Sequence, residues 1–271
     1  MPILAGYMVP HPPIAVKEIG RGEELKIQDT LDSFDAVARD IADLKPDTII
    51  LTSPHQIMYG DYFHISPGRR ALGDFGRFGA RSVRFDVGYD DELTAEICRI
   101  CDGEGIPAGT LGERDPALDH GTTVPMYFIN KRYTDYRLVR IGLSGLSLNT
   151  HYEFGKAIRR AVDKTGRRCV FVASGDLSHC QKEDGPYGFS PEGPVYDEKI
   201  MSVMGDGDFR ALTLFDEELL DKSMECGHRS FTIMGGAFDG VNVDTGELSH
   251  EATFGVGYGL CIYHPLPYRE V

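Results

Sequence analysis

Short apolar runs alternate with segments whose apolar positions recur every three or four residues, the pattern of buried strands separated by amphipathic helices. Ile3 to Val9 is the first apolar run and stops at Pro10-His11-Pro12-Pro13. From about Glu24 to Leu44 the positions Leu25, Ile27, Leu31, Phe34, Val37, Ile41 and Leu44 predict a helix, which Lys45-Pro46-Asp47 breaks. Thr48 to Thr52 is a buried strand running into Ser53-Pro54-His55, and Phe63 to Ser66 and Val83 to Val87 are further strand candidates. Helices are predicted over Asp91 to Asp102, over His120 to Asn130 with Asp119 as its cap, and over Glu153 to Lys164. Leu138 to Leu143 and Cys169 to Ala173 read as strands, the second ending at Ser174-Gly175-Asp176-Leu177-Ser178-His179. Two or three helices cover Pro194 to Ala237, and a glycine-rich strand from Phe254 to Tyr263 closes the pattern.

This alternation predicts an α/β fold with a central sheet covered on both faces. With 271 residues the chain is one large domain or two small ones, long enough to bury a core without disulfide or metal staples. The six cysteines fall mostly in apolar runs and read as buried free thiols; Cys98-Arg-Ile-Cys101 has CxxC spacing, but it lies in a helical pattern and no second pair follows. A net charge of −14 disfavours nucleic acid and anionic membrane surfaces as partners. No apolar run approaches membrane-spanning length and the start lacks a signal-peptide pattern, so a cytoplasmic protein is expected.

Polar residues gather at the strand ends. His11, His55 and His179 each stand just past the C-terminal end of an apolar strand, the edge at which open α/β sheets bind ligands. Three histidines in one topological position point to one site. A carboxylate to join them is offered by Glu225, in Met224-Glu225-Cys226-Gly227-His228, between two helical patterns. Two imidazoles and one carboxylate form a facial triad suited to Fe(II), with positions left open for substrate and dioxygen. Asp176, Ser178 and Ser53 are candidates to orient the imidazoles, and turn chemistry is their competing role. Tyr62, Phe63, Phe75 and Phe78 are divided between core packing and an aromatic pocket wall; Arg69, Arg70 and Arg77 are nearby candidates for a substrate carboxylate.

Five motifs in order, Pro10-His11-Pro12-Pro13-Ile14, Ser53-Pro54-His55, Leu118-Asp119-His120-Gly121-Thr122-Thr123-Val124-Pro125, Ser174-Gly175-Asp176-Leu177-Ser178-His179 and Glu225-Cys226-Gly227, resemble the class III extradiol ring-cleavage dioxygenases of the LigB type. The nearest flavour is the uncharacterised branch close to Memo-like proteins. The resemblance implies a single αβα sandwich (phosphorylase/hydrolase-like, central sheet mostly parallel or mixed) acting as one catalytic, metal-binding domain over residues 1–271. It implies an Fe(II) site, with zinc or manganese as alternatives, held by His11, His55 and Glu225; His228 is the alternative third ligand and would give an all-histidine site better suited to zinc. His179 would be the acid/base and His120 a second active-site histidine, contacting substrate or oxygen. The implied partners are a small aromatic diol and O2, with a homodimer expected and a small partner subunit possible in this family. The competing functions are a metal enzyme of another reaction on the same fold and a Memo-like, non-enzymatic partner-binding protein. His64, His151, His250 and His264 match no family motif and are expected to be structural.

Overall fold

Ten strands and eight α-helices build residues 3–267, the part of the chain described by a computed structural model. The strands are β1 (Ile3–Val9), β2 (Thr48–Ser53), β3 (Phe63–His64), β4 (Arg70–Phe75), β5 (Ala80–Gly88), β6 (Ala108–Gly109), β7 (Arg137–Gly142), β8 (Cys169–Ser174), β9 (Val243–Glu251) and β10 (Tyr258–Pro265). The helices are α1 (Lys17–Gly20), α2 (Gln28–Leu44), α3 (Asp91–Glu104), α4 (His120–Ile129), α5 (Leu148–Thr165), α6 (Glu192–Asp206), α7 (Glu217–Ser223) and α8 (His228–Ala237).

Six strands form the central sheet in the order β7-β2-β8-β1-β10-β9. The β7, β2, β8 and β1 strands are parallel, and β10 and β9 add antiparallel at one side. The sheet is therefore mixed, and its parallel part reads as continuous apolar runs because both faces are covered. Side chains alternate between the faces: Met8 joins a core with α3, α5, α6 and α8, whereas Tyr7 and Val9 join one with α2, α4 and the β4–β5 hairpin. Helix α5 lies so close to α8 that a Cβ on Gly236 would sit 1.9 Å from the Tyr152 carbonyl oxygen; only glycine allows that approach.

Where the structure departs from the pattern reading, local chemistry supplies the reason. Helix α5 starts at Leu148 rather than Glu153, because Ser147 Oγ accepts the Thr150 amide at 3.2 Å and caps it. Phe63 to Ser66 shrinks to β3, paired with the equally short β6 outside the main sheet. The predicted strand at Val83 belongs to β5, which pairs with β4 in a separate hairpin. The closing strand begins only at Tyr258, and β9 ahead of it is largely polar and only part-buried. Among the described residues no helix is long and apolar enough to cross a membrane. All six cysteines are free, with Cys98 and Cys101 on α3.

Candidate metal centre and catalytic cleft

The parallel strands deliver their ends to one place. His11 follows β1, His55 follows β2, and the turn from Gly175 to His179 follows β8. His120 is the first residue of α4, whose cap Asp119 accepts the Thr122 amide at 3.1 Å and the Ser53 hydroxyl at 2.5 Å, tying α4 to the end of β2. The loop before α8 is pressed against the turn after β8: a Cβ on Gly175 would lie 2.0 Å from the Gly227 Cα. That contact is held by the Cys226 amide, which donates to the Asp176 carbonyl at 3.3 Å, and by the Asp176 amide, which donates to Cys226 Sγ at 3.3 Å.

Three side chains converge as donors: His11, His55 and Cys226. The two Nε2 atoms are 3.0 Å apart, and Cys226 Sγ is 3.6 Å from His11 Nε2. Ligands sharing one ion at about 2.1 Å for nitrogen and 2.3 Å for sulfur, at angles between square and tetrahedral, would lie about 3.0–3.6 Å apart, so these residues fit a metal. His11 is preorganised for that task. Pro125 has no amide hydrogen, so the Gly121 carbonyl, four residues before it in α4, lacks its helical donor. Ser174 Oγ donates to that carbonyl at 2.6 Å. With its proton committed there, Ser174 Oγ can only accept from His11 Nδ1, 3.0 Å away. The His11 proton is thus held on Nδ1, and the Nε2 lone pair faces His55 and Cys226. The His11 amide also donates to Asp176 Oδ1 at 2.7 Å.

Burial biases these groups towards neutrality. It pushes His11 well below the ordinary imidazole range, helped by its neighbours His55, His120 and His179. His55 and His179 are lowered, and His120 is lowered to about 4, in each case chiefly by burial. Burial raises Asp176 to about 7 and holds the Cys226 thiol well above its usual range, with Asp176 and Glu225 adding to the latter.

Glu225, expected as the third donor, is placed differently. Its Oε2 accepts the amide of His228, the first residue of α8, at 2.6 Å, and it is not among the three converging donors. A helix-terminal N–H without an intrahelical acceptor is a strong attractor for a carboxylate; the neighbouring Cys226 is left to present its thiol to His11. Burial raises the Glu225 carboxyl to about 7. His228 is spent elsewhere: its Nε2 donates to the Leu212 carbonyl at 2.9 Å and its Nδ1 faces the Tyr196 hydroxyl at 3.3 Å. The thiol was legible only as one of six cysteines, although its place beside Glu225 and Gly227 was a signal.

The other two histidines flank the donors. His120 stacks on His55 with ring centroids 3.9 Å apart, and Phe78 meets its edge at 5.4 Å. His179 meets the ring of Tyr187 at 5.1 Å, and its Nδ1 is buried without a partner. A cleft of about 920 Å³ opens on His55 and His120 and is walled by Phe78 and the arginines Arg77, Arg84, Arg114 and Arg140. Of the aromatic candidates, Phe63 and Phe75 are core residues and Phe78 lines the cleft. Arg70 is bound to Asp86, and Arg77 reaches the cleft. The remaining histidines have local partners: His64 with Leu111 and Glu113, His151 with Ser147, His250 with Asp197 and His264 with Asp40.

Residues 5–261 match the family described as the catalytic LigB subunit of aromatic ring-opening dioxygenase. Protein CA_C1420 of Clostridium acetobutylicum is 40% identical over 262 residues, covering 94% of this chain and 56% of that protein. The 2-aminophenol 1,6-dioxygenase beta subunit of a Pseudomonas species is 27% identical over 206 residues, 68% of this chain and 65% of that subunit. A MEMO1 family protein of Methanosarcina barkeri is 26% identical over 138 residues, 51% of this chain and 46% of that protein. The chain thus spans less than two thirds of the length of each of these relatives. Among solved structures, that of the uncharacterized protein JW3007 from Escherichia coli K12 shares the fold, with a TM-score of 0.62, 13% identity, and coverage of 96% of this chain and 99% of that one. Motifs, fold and family match agree: the chain belongs to the LigB family, among relatives that include both a dioxygenase beta subunit and a MEMO1 family protein.

Proposed function

We propose that this protein is a metal-dependent extradiol dioxygenase that opens the ring of an aromatic vicinal diol or aminophenol with O2, its metal held by His11, His55 and Cys226. The observation that carries the reading is the pair of imidazoles beyond the donors. A site that only held a metal has no use for His120 stacked on a ligand, nor for His179 with a buried, unpartnered nitrogen beside it. Fe(II) bound there would supply the centre at which diol oxygens and dioxygen exchange electrons.

The chain's own groups do the rest. His179, kept neutral at pH 7 by burial, takes the proton of a substrate hydroxyl. His120, neutral for the same reason, faces the cleft beside His55 and hydrogen-bonds a substrate oxygen. Phe78 offers an apolar face to the ring beside His120. Residues 1–271 act as one catalytic unit in this reading, working as a homodimer or with a second subunit.

Cys226 supports a second reading. A thiolate among the donors is softer than a carboxylate and favours zinc, hence a reaction without O2 or a Memo-like binding role. The test is oxygen consumption by protein loaded anaerobically with Fe(II), across catechols and 2-aminophenol, beside His179→Gln. Uptake that needs iron and substrate and collapses in the variant supports ring opening. Folded, iron-loaded protein that consumes no oxygen with any of them refutes it, and tight zinc retention in such a protein would favour the second reading.

A further inference from the structure

We infer that Asp197 of α6, backed by His250 of β9, is a positioning residue for His179: it fixes the stretch of backbone from which that imidazole projects. The inference rests on the proposed reading for what His179 does, but not for how it is held. His179 is anchored unlike the other histidines of the centre. His11 is oriented through Ser174, and His55 and His120 stack on each other. His179 Nδ1 is buried without a partner, and its ring leans on Tyr187, a side chain that is itself half exposed. The direction of the ring is therefore set by the turn that carries it.

Three elements grip that turn immediately ahead of the ring. The Ser178 amide donates to Asp197 Oδ1 at 2.9 Å. The Ser178 carbonyl accepts the Gly257 amide at 2.8 Å, and the His179 amide donates to the Ser223 carbonyl at 3.1 Å. The last two ties run from backbone to backbone, so the side chain in this clasp is Asp197. The fit around it is close. A Cβ on Gly257 would lie 1.9 Å from Asp197 Oδ2, and only glycine lets the start of β10 approach the carboxylate and the turn together.

A neutral side chain could hold one amide at lower cost than a buried acid. Asp197 is 1% exposed, and among the described residues no lysine or arginine lies within ion-pair distance of it. Burial raises its carboxyl above the ordinary range, and the bonds from His250 and the Ser178 amide oppose that shift. His250 Nε2 donates to Asp197 Oδ2 at 2.9 Å from a side chain that is one-third exposed. With one oxygen committed to the turn and the other to a histidine, the carboxylate cannot swing, so the Ser178 amide is held in direction as well as in distance. Neither Asp197 nor His250 is a converging metal donor or lines the cleft; what they supply to the reaction is geometry.

The test pairs steady-state oxygen consumption with histidine-ring NMR of the metal-free protein, the His179 signal being assigned through His179→Gln. Asp197→Ala should lower kcat by about ten- to a hundredfold at unchanged KM, the effect of a misaimed group. It should also shift or split the His179 signal while those of His64 and His151 stay in place. Asp197→Asn keeps an acceptor for the Ser178 amide and should restore both readouts towards native values. His250→Ala should reproduce the loss at smaller amplitude. Metal affinity should be the same in all three variants. A merely structural acid would instead lower metal affinity and kcat together and move every buried histidine, which overturns the proposal. So does an Asp197→Ala protein with a native His179 signal, or an Asp197→Asn protein no better than Asp197→Ala. If Asp197→Ala does not fold, His250→Ala decides, and an unmoved His179 signal there overturns the proposal. If no catechol or aminophenol supports oxygen consumption, the ring-opening reading falls and the NMR arm still decides the positioning. A displaced His179 signal with native kcat keeps the positioning and removes His179 as the acid/base.

Discussion

Replacing Ser174 by alanine removes the link between a proline in α4 and the tautomer of His11. Ser174 donates to the Gly121 carbonyl, which Pro125 leaves without a helical partner, and accepts from His11 Nδ1. In Ser174→Ala both bonds are lost at a fully buried position. At ~1 kcal/mol per net hydrogen bond the metal-free protein should lose about 1–2 kcal/mol. For a chain of this size that lowers Tm by roughly 2–8 °C. The larger effect should be on metal. With no acceptor at Nδ1 the ring is free to move its proton to Nε2 and to rotate, and loss of such a partner typically costs about 10–100-fold in affinity. Competition against a chromophoric chelator at fixed pH measures this directly, with the metal-free melting curve run in parallel. A Ser174→Ala protein that melts normally and binds Fe(II) or zinc within twofold of the native protein would refute the relay. The converse variant, Pro125→Ala, restores an amide that competes for Gly121 and should weaken metal binding in the same direction.

Three further outcomes are expected. Exchanging the two candidate third donors separates them: Cys226→Ala should lose metal by more than tenfold in the same competition assay, whereas Glu225→Gln should retain it and chiefly destabilise the start of α8. The metal-free protein should lose stability as pH falls from about 6.5 towards 4, read as a falling urea midpoint. His120, His151 and His228 are held neutral with values of about 4 and His11, His55 and His179 are lowered too, so the unfolded chain binds their protons first; Asp176 and Glu225, raised to about 7, and Asp197, also raised, oppose the slope but are three against six. A flat profile over that window would contradict the buried, neutral histidines. Gly236→Ala drives a Cβ against the Tyr152 carbonyl and should cost about 3 kcal/mol or more, seen as a Tm lower by roughly 6–12 °C.

The framework and the gathering of histidines could be read from the chain because both rest on local signals. Apolar runs mark the buried parallel strands, and the residues following β1, β2 and β8 must meet at one edge of the sheet. Asp119 as a cap was legible for the same reason: side-chain capping acts over three residues. Strand β9 was not, since its side chains are polar or part-buried and its pairing with β10 is written in backbone bonds. Nor could pattern alone choose between Glu225 and Cys226. They are adjacent, and which one turns to His11 depends on the Asp176 backbone clip and the amide of His228. Arg140 carried a signal that went unused, a charged residue inside the apolar run Leu138-Val139-Arg140-Ile141. Such a placement asks for a reason in a way that exposed arginines on a hairpin do not.

The position of β1 bears on how the protein is made. This strand precedes the other five of its sheet along the chain, yet it sits inside the sheet between β8 and β10. Its parallel neighbour β8 begins 160 residues after β1 ends, and β10 later still. At ~5–20 residues per second, the apolar segment Ile3–Val9 waits on the order of ten seconds or longer for a partner. Meanwhile its backbone and its Leu4, Tyr7 and Met8 side chains are open to other chains. Assembly therefore depends on shielding one short, early-made segment, and the His11 arm of the candidate metal centre is locked in only when β8 and β10 arrive.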